Sequence, residues 1–162
     1  MCGIAGLIDW QEDVRGMEPI IETMIGRLSH RGPDAHNTWI SSRAALAHHR
    51  LAVVDPEAGK QPMIYQAGEQ TYVIVYNGEL YNFQELRSEL SVRGHTFQTS
   101  SDTEVLLHTY LEWGEACTCH LNGIFAFGIW DESKQQLFIA RDHLGAKPLF
   151  YAERGSTVVF GS

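Results

Sequence analysis

The sequence predicts a layered α+β fold in which mainly antiparallel sheets lie between helices. Short, nearly continuous apolar runs recur along the chain and are typical of strands that are covered on both faces. Other segments repeat their apolar residues at helical spacing. The predicted strands are Ile4–Ile8, Ala44–His48, Tyr72–Tyr76, Phe125–Trp130, Leu137–Ala140, Leu149–Tyr151 and Val158–Phe160.

The segments between these runs supply the turn and the helices of this prediction. Residues 131–134, Asp-Glu-Ser-Lys, separate two strand runs and are typical of a hairpin turn. Helical spacing predicts one helix over residues 20–28 and a second over residues 83–90. A third helix is predicted to begin at Ser101, because residues 101–104, Ser-Asp-Thr-Glu, have the capping-box pattern.

Length and charge exclude several classes of protein. The 162 residues fit one domain, and 44% apolar against 20% charged residues argue against disorder. With 12 basic and 20 acidic side chains the formal net charge is −8, and the basic residues form no cluster. We therefore expect no binding to nucleic acid, whose phosphates a negative surface repels.

Targeting signals are absent from the sequence. No apolar run approaches the roughly 18 residues that span a bilayer, and the first residues lack a signal-peptide pattern. Three cysteines and no Asn-x-Ser/Thr sequence favour reduced thiols. We expect a cytoplasmic protein without membrane contact, and the end at Gly161-Ser162, directly after a strand run, suggests a piece of a longer chain.

Cys2 is the first candidate for chemistry, because removal of Met1 would make it the N-terminal residue. An N-terminal cysteine carries a nucleophilic thiol and an α-amine whose pKa, about 7.7–8.0, suits a proton acceptor. Gly3 and Gly6 would let the backbone pack closely and leave the thiol uncovered. The alternative is a small residue placed by chance before a buried strand.

Asn77 and Gly78 are candidate donors for an oxyanion hole. They end an apolar strand just before a helix, where a side-chain amide and a backbone N–H can point the same way. The alternative is a type I′ hairpin turn, for which Asn-Gly is the preferred dipeptide.

Arg50 and Asp102 are candidate ligands for an amino acid. Arg50 follows a strand run and can bind a carboxylate with two hydrogen bonds, and Asp102 can hold an ammonium group. Their alternatives are a solvated arginine and a favourable charge at a helix N-terminus.

Two other patterns do not indicate a site. Cys117-Thr118-Cys119-His120 lacks a second ligand pair to complete zinc coordination, so no metal is expected. Gly59-Lys60 lacks the leading glycine and the Ser/Thr of a phosphate-binding loop. His48 and His49 are expected to serve packing rather than catalysis.

Taken together, motifs along the whole chain resemble the class II glutamine amidotransferases, and in particular the glutaminase domain of the glutamine-hydrolysing asparagine synthetases. The resemblance runs from Met1 to Gly161 and is carried by Met1-Cys2-Gly3-Ile4-x-Gly6, His30-Arg31-Gly32-Pro33-Asp34, Arg50-Leu51-Ala52-Val53-Val54-Asp55, Tyr76-Asn77-Gly78-Glu79-Leu80-Tyr81-Asn82, Ser101-Asp102-Thr103-Glu104 and Arg141-Asp142-His143-Leu144-Gly145.

The resemblance implies a fold and a set of site residues. The fold is the αββα sandwich of the N-terminal nucleophile hydrolases, with two mainly antiparallel sheets between helical layers. The implied catalytic residues are Cys2 as nucleophile and Asn77 with Gly78 as oxyanion hole. The implied glutamine-binding residues are Arg50, Leu51, Ala52, Val53, Val54, Asn77, Gly78, Glu79 and Asp102, while residues 30–34 and 141–145 shape the site without a catalytic role.

The activity implied is hydrolysis of L-glutamine to glutamate and ammonia through a thioester on Cys2. Residues 1–162 would form a glutaminase domain truncated at its C-terminal end, and the ammonia would pass to a missing C-terminal synthetase domain that makes asparagine from aspartate. ATP and magnesium are expected only in that synthetase domain, because no Ser-Gly-Gly-x-Asp-Ser loop occurs here. No cofactor is expected in this domain, and a homo-oligomer is compatible with the sequence.

Two alternative functions remain open from the sequence. One is the glutaminase domain of a sugar aminotransferase or amidophosphoribosyltransferase. The other is a module that senses glutamine without hydrolysing it.

Overall fold

The computed structural model describes residues 1–33, 35–50 and 59–162, which form two antiparallel sheets and three α-helices. The strands are β1 (Gly3–Asp9), β2 (Ala35–Ile40), β3 (Ala44–Arg50), β4 (Met63–Ala67), β5 (Gln70–Leu80), β6 (Gly123–Asp131), β7 (Gln136–Arg141), β8 (Phe150–Arg154) and β9 (Thr157–Gly161). The α-helices are α1 (Glu18–Gly26), α2 (Phe83–Val92) and α3 (Asp102–Trp113), and short 3-10 segments lie at Val14–Met17, Ser29–Arg31 and Gly114–Cys119.

The sheets are built from strands that pair only antiparallel in the described part of the chain. One has five strands in the order β2-β3-β1-β9-β8, and the other has four in the order β4-β5-β6-β7. β1 is therefore the central strand of its sheet, and Cys2 directly precedes it.

Strand periodicity divides the apolar core into layers. Along β5, Ile74 and Tyr76 belong to the cluster shared with α2 and α3, whereas Val73 and Val75 belong to the cluster between the two sheets. β1 and β3 divide their side chains in the same way between the inter-sheet cluster and α1. This alternation follows from the two-residue period of a strand and produces helix, sheet, sheet and helix in sequence.

The inter-sheet layer depends on a close approach at Phe160. Its ring occupies the space beside Gly6 and Gly128, where a Cβ atom on either glycine would overlap it. Phe160 and Trp130 are almost completely buried in this layer. Full burial of such a side chain stabilises the folded state by roughly 1.5–3 kcal/mol.

The predicted layered α+β fold with an αββα order is confirmed, and all seven predicted strand runs lie in or overlap a strand. Two strands were missed, β2 and β4. Both are partly or largely exposed and carry polar side chains among the apolar ones, so neither has the continuous apolar run used to recognise the others.

Local predictions near the site are also settled. Asn77 and Gly78 lie inside β5 and pair with Ala126 and Phe125 of β6, so the hairpin alternative is wrong. The turn between β6 and β7 is present, and the Asp131 carboxylate accepts hydrogen bonds from two of its backbone N–H groups. At α3, Ser101 caps the helix as predicted by accepting from the backbone N–H of Glu104 at 3.3 Å.

Candidate functional site

A cavity of about 190 Å³ contains most of the residues that the sequence singled out. Among the described residues it is lined by Met1, Cys2, His48, Arg50, Gly59, Gln61, Tyr76, Asn77, Gly78, Glu79, Ser101, Asp102, Thr103 and Lys147. The candidates Leu51, Ala52, Val53 and Val54 lie outside the described residues, as does Asp34. The structure thus brings together six predicted site residues from four separate parts of the chain, namely Cys2, Arg50, Asn77, Gly78, Glu79 and Asp102.

Cys2 lies directly before β1 and is partly exposed. The Nε atom of Arg31 donates a hydrogen bond of 3.2 Å to the Cys2 carbonyl oxygen. Gly3 packs so closely against Leu28 that a Cβ atom there would lie 2.8 Å from the Leu28 Cβ atom. Met1 also lines the cavity, and the nitrogen of Cys2 is an amide as long as Met1 is attached.

Asn77 presents an unused hydrogen-bond donor at the cavity. The residue is 2% exposed, and its Nδ2 atom has no hydrogen-bond partner among the described residues. A buried amide without a partner is costly, which is expected where a ligand completes the bonding. At Gly78 a Cβ atom would overlap the carbonyl oxygen of Ile124, so the sheet has no room for a larger residue there.

Asp102 lies at the first position of α3 and is buried against β5. Its Oδ2 atom accepts hydrogen bonds from the Tyr76 hydroxyl at 2.9 Å and from the Leu80 backbone N–H at 3.2 Å. Burial raises the pKa of Asp102, while these two hydrogen bonds act to lower it. Burial also raises the pKa of Tyr76, so its hydroxyl remains protonated and donates.

Arg50 and His48 both come from the end of β3 and both are buried. The Nε2 atom of His48 lies 3.2 Å from the Tyr76 carbonyl oxygen, and because a carbonyl only accepts, this nitrogen carries the hydrogen. Burial lowers the pKa of His48 from its ordinary 6.5 to about 4. His48 is therefore neutral near pH 7, in agreement with the packing role expected for it, although its ring also forms part of the cavity wall.

Each of the two shaping motifs has a described residue that contacts the cavity wall. The Arg31 contact to Cys2 comes from the first of them, residues 30–34. In the second, the Asp142 carboxylate accepts from the backbone N–H groups of Leu144, Ala146 and Lys147 and from that of Phe125. Although burial acts to raise the pKa of Asp142, these bonds hold it below its usual value. They fix the loop that places Lys147 at the cavity.

Sequence reasoning missed several members of this cavity, namely Gln61, Thr103 and Lys147. Gln61 was considered only within a rejected phosphate-loop pattern, and Thr103 only within a capping box. Thr103 stands next to the candidate Asp102, and Lys147 follows the second shaping segment, residues 141–145, whereas no such neighbour marks Gln61.

The Cys-Thr-Cys-His segment lies elsewhere. Cys117 is buried, and burial raises the pKa of its thiol to about 12. Cys119 is exposed, and the ring of His120 stacks on Trp113 at 3.9 Å. Within residues 1–33, 35–50 and 59–162, no group of three or more His, Cys, Asp or Glu side chains is arranged to hold a metal ion.

None of the described helices has the length and apolar character needed to cross a membrane.

The cavity combines a thiol, an unpartnered amide donor, a guanidinium group and a buried carboxylate. The last two charges can bind the carboxylate and the ammonium of an amino acid at the same time. The thiol and the amide are the groups that nucleophilic attack on a carbonyl requires.

Comparison with known proteins shows the family to which this chain belongs. The family model for the glutamine amidotransferase domain matches residues 1–162, and the chain belongs to this family. Asparagine synthetase (glutamine-hydrolyzing) 3 of Bacillus subtilis is 52% identical over 162 residues, and asparagine synthetase B (glutamine-hydrolyzing) of Escherichia coli is 42% identical over 161. These alignments cover 100% and 98% of this chain.

Solved structures agree on the fold. Glutamine phosphoribosylpyrophosphate amidotransferase from B. subtilis superposes with a TM-score of 0.80 over 99% of this chain and 41% of its own, at 23% identity. A second structure, described as the allosteric regulatory enzyme of purine biosynthesis, gives a TM-score of 0.77 at 25% identity, over 99% of this chain and 42% of its own. These matches confirm the predicted N-terminal nucleophile fold.

The relatives are longer proteins. The chain spans 26% of the B. subtilis asparagine synthetase and 28% of the E. coli protein. Most of the length of these two relatives therefore lies outside the aligned region.

Proposed function

We propose that this chain hydrolyses L-glutamine to glutamate and ammonia, with Cys2 as the nucleophile. The observation that carries the proposal is the unpartnered Nδ2 atom of buried Asn77, in a cavity that also contains Cys2, Arg50 and Asp102. Membership of the glutamine amidotransferase family supports the same substrate.

Substrate binding follows from the charges of the cavity. The Arg50 guanidinium binds the α-carboxylate of glutamine, and the Asp102 carboxylate binds its α-ammonium group. Glu79 also lines the cavity and contributes to its wall. The side-chain amide of glutamine then extends towards Cys2, Asn77 and Gly78. Leu51 to Val54 are proposed to complete the wall, as the family resemblance implies.

The reaction proceeds in two halves. The Cys2 thiolate attacks the carboxamide carbon, and the resulting oxyanion accepts hydrogen bonds from Asn77 Nδ2 and the Gly78 N–H. The carbon–nitrogen bond breaks, and the nitrogen leaves as ammonia after taking a proton from the Cys2 α-ammonium. Water then attacks the γ-glutamyl thioester, giving its proton to the α-amine, and glutamate leaves as the thiol is restored.

This scheme requires the removal of Met1. While Met1 is attached, the Cys2 nitrogen is an amide and has no basic lone pair to accept a proton. The residues of the proposed reaction need neither a metal nor an organic cofactor.

The ammonia is proposed to serve ATP-dependent synthesis of asparagine from aspartate in a synthetase domain of the same longer protein. The support is the identity of 52% to an asparagine synthetase of which this chain spans only 26%. ATP and magnesium would belong to that domain. The amidophosphoribosyltransferase alternative has support only from the fold. A cytoplasmic location and a homo-oligomer stay predictions.

Glutamate release from glutamine tests the proposed activity. The chain with a confirmed Cys2 N-terminus should release glutamate, Cys2→Ala should release none, and the matched variant Cys119→Ala should behave as wild type because Cys119 is exposed outside the cavity. Equal rates for wild type and Cys2→Ala would contradict the proposal. Glutamine binding by calorimetry without hydrolysis would instead support the sensing module.

A further inference from the structure

Gln61 connects the two elements that carry the proposed oxyanion hole and the proposed ammonium ligand. It precedes β4, lines the cavity and is 7% exposed. Its Oε1 atom accepts a hydrogen bond of 2.6 Å from the Tyr76 backbone N–H of β5. Its Nε2 atom donates one of 3.2 Å to the Thr103 hydroxyl of α3. Both ends of one buried side-chain amide are thus engaged.

The position of Gln61 follows from the register of β4 on β5. Met63 pairs with Ile74, so Gln61 is the residue that would stand opposite Tyr76 if β4 continued. The strand does not continue, and the side chain of Gln61 replaces the missing backbone acceptor. On the same edge, the Tyr76 carbonyl accepts from His48. Side chains therefore satisfy both main-chain groups of Tyr76 beyond the end of β4.

The same edge of β5 carries the Gly78 N–H. Backbone N–H groups point to alternate edges along a strand, so those of Tyr76, Gly78 and Leu80 share one edge. Gln61 accepts the first and Asp102 accepts the third. The N–H of Gly78 lies between these two bonds, at the edge where the cavity opens.

We propose that Gln61 is a positioning residue of this site: by joining the Tyr76 peptide to Thr103 at the start of α3, it fixes the direction of the Gly78 N–H relative to the Asp102 carboxylate. The inference rests on the proposed glutaminase function. In this role Gln61 sets the distance between the Gly78 N–H, which holds the oxyanion, and the Asp102 carboxylate, which holds the α-ammonium group. Because both ends of glutamine are bound across this spacing, a shift of about 1 Å can lower the rate by about 100-fold.

Steady-state kinetics of three variants test the role. Gln61→Met keeps the length of the side chain but loses both hydrogen bonds, and we expect kcat/KM to fall by about 10- to 100-fold, with kcat contributing most of the loss. Gln61→Glu retains an acceptor for the Tyr76 N–H, and the Thr103 hydroxyl can donate to its second oxygen. Because both hydrogen bonds can form, we expect Gln61→Glu to recover most of kcat. We expect its KM to rise, because the added negative charge lies in the cavity near the Asp102 carboxylate.

Thr109→Val is the matched control. It removes a buried hydroxyl bond of 2.7 Å, from Thr109 to the Val105 carbonyl, on the same helix but away from the cavity. We expect wild-type kcat and KM for this variant. A folded Gln61→Met with wild-type kcat and KM would overturn the proposal, as would a loss of kcat in Gln61→Glu as large as that in Gln61→Met. If Gln61→Met does not fold, Thr103→Val removes the hydrogen bond between Gln61 Nε2 and the Thr103 hydroxyl. Wild-type kcat and KM in Thr103→Val would then overturn the proposal.

Amide NMR separates this proposal from the proposed function. In Gln61→Met the backbone resonance of Gly78 and the side-chain NH₂ of Asn77 should shift, and exchange of the Tyr76 amide should accelerate, relative to Thr109→Val. If wild type does not hydrolyse glutamine, the proposed function fails, while these shifts still report whether Gln61 holds the β5 edge. Unchanged resonances would overturn the positioning role whatever the activity.

Discussion

The hydroxyl of Tyr76 donates a hydrogen bond of 2.9 Å to the Oδ2 atom of Asp102, across the interface between β5 and α3. Tyr76 immediately precedes Asn77, and Asp102 is the first residue of its helix. The bond therefore ties the proposed ammonium ligand to the strand that carries the proposed oxyanion hole. It also lowers the pKa of a carboxyl group that burial raises.

Tyr76→Phe should weaken glutamine binding, most strongly at low pH. Without the hydroxyl, one influence that lowers the pKa of Asp102 is lost, and the pKa rises further above its ordinary 3.8. Only the ionised carboxylate holds the α-ammonium, so binding falls as pH drops through this pKa. A lost hydrogen bond to a charged group costs about 1.5–3 kcal/mol, which would raise KM by about 10- to 100-fold. The check is a pH profile of kcat/KM, whose acid limb should move to higher pH. An unmoved acid limb with unchanged KM would show that the bond does not serve binding.

Asn77→Ala should lower kcat without unfolding the protein. Removing one oxyanion donor costs about 2.7–4 kcal/mol of barrier, or about 10²- to 10³-fold in rate. The Nδ2 atom has no partner in the described chain, so its removal breaks no hydrogen bond there. Kinetics together with thermal unfolding check both parts. The exposed residue Asn122 provides the control, Asn122→Ala. A wild-type kcat in Asn77→Ala would exclude the amide from the oxyanion hole.

Asp142→Asn should destabilise the loop that carries Lys147. Four backbone N–H groups donate to the Asp142 carboxylate, and an amide in its place offers a single acceptor oxygen. Loss of bonds to a charged group predicts about 1.5–3 kcal/mol of unfolding free energy, measured by denaturant titration. Because the folded pKa lies below the ordinary 3.8, the contribution of Asp142 is present above that value and is lost at lower pH. Wild-type stability at pH 7 would contradict this account.

His108 should make the protein less stable as the solution becomes mildly acidic. It is fully buried on α3, its Nδ1 atom lies 2.9 Å from that of His95, and burial lowers its pKa from 6.5 to about 4. In the unfolded chain His108 is therefore protonated as pH falls through 6.5, whereas in the folded chain it stays neutral until about pH 4. Stability is full above pH 6.5 and falls between these values, by about 1.4 kcal/mol for each unit of pKa difference.

Denaturant titration of His108→Leu over this pH range checks the claim. The variant should have a flatter dependence of unfolding free energy on pH than wild type, with part of the slope remaining because His48 is shifted in the same direction. The exposed residue His143 supplies a control, His143→Gln. An unchanged slope in His108→Leu would contradict the assignment.

The sequence predicted the buried strands better than the exposed ones, for a physical reason. β1, β5 and β6 lie between two apolar layers, so nearly every residue is apolar and the run is unmistakable. β2 and β4 are partly or largely exposed and contain polar residues, and only pairing with their neighbours makes them strands. The local composition of these two segments does not predict which strands they pair with.

The candidate site shows the same division. Cys2, Asn77, Gly78 and Asp102 could be selected as candidates because the sequence places them just before a strand run, just after another and at a predicted helix start. Gln61 could not, since its importance depends on the register that places it opposite Tyr76. Glu104 was expected to complete a capping box, but its carboxylate instead accepts from the backbone N–H groups of Gln98 and Thr99. The hydrogen-bond partners of Gln61 and Glu104 depend on tertiary contacts, which the local sequence does not show.

The most direct test of the account is to identify the residue that reacts with a diazoketone analogue of glutamine, by peptide mass spectrometry after limited labelling. We predict one modification, on the thiol of Cys2, in a peptide whose N-terminus is Cys2 with a free amine, and protection by glutamine. Glutamine-protected labelling of Cys117 or Cys119, or full glutamine hydrolysis by protein that retains Met1, would contradict the assignment of Cys2 as an N-terminal nucleophile.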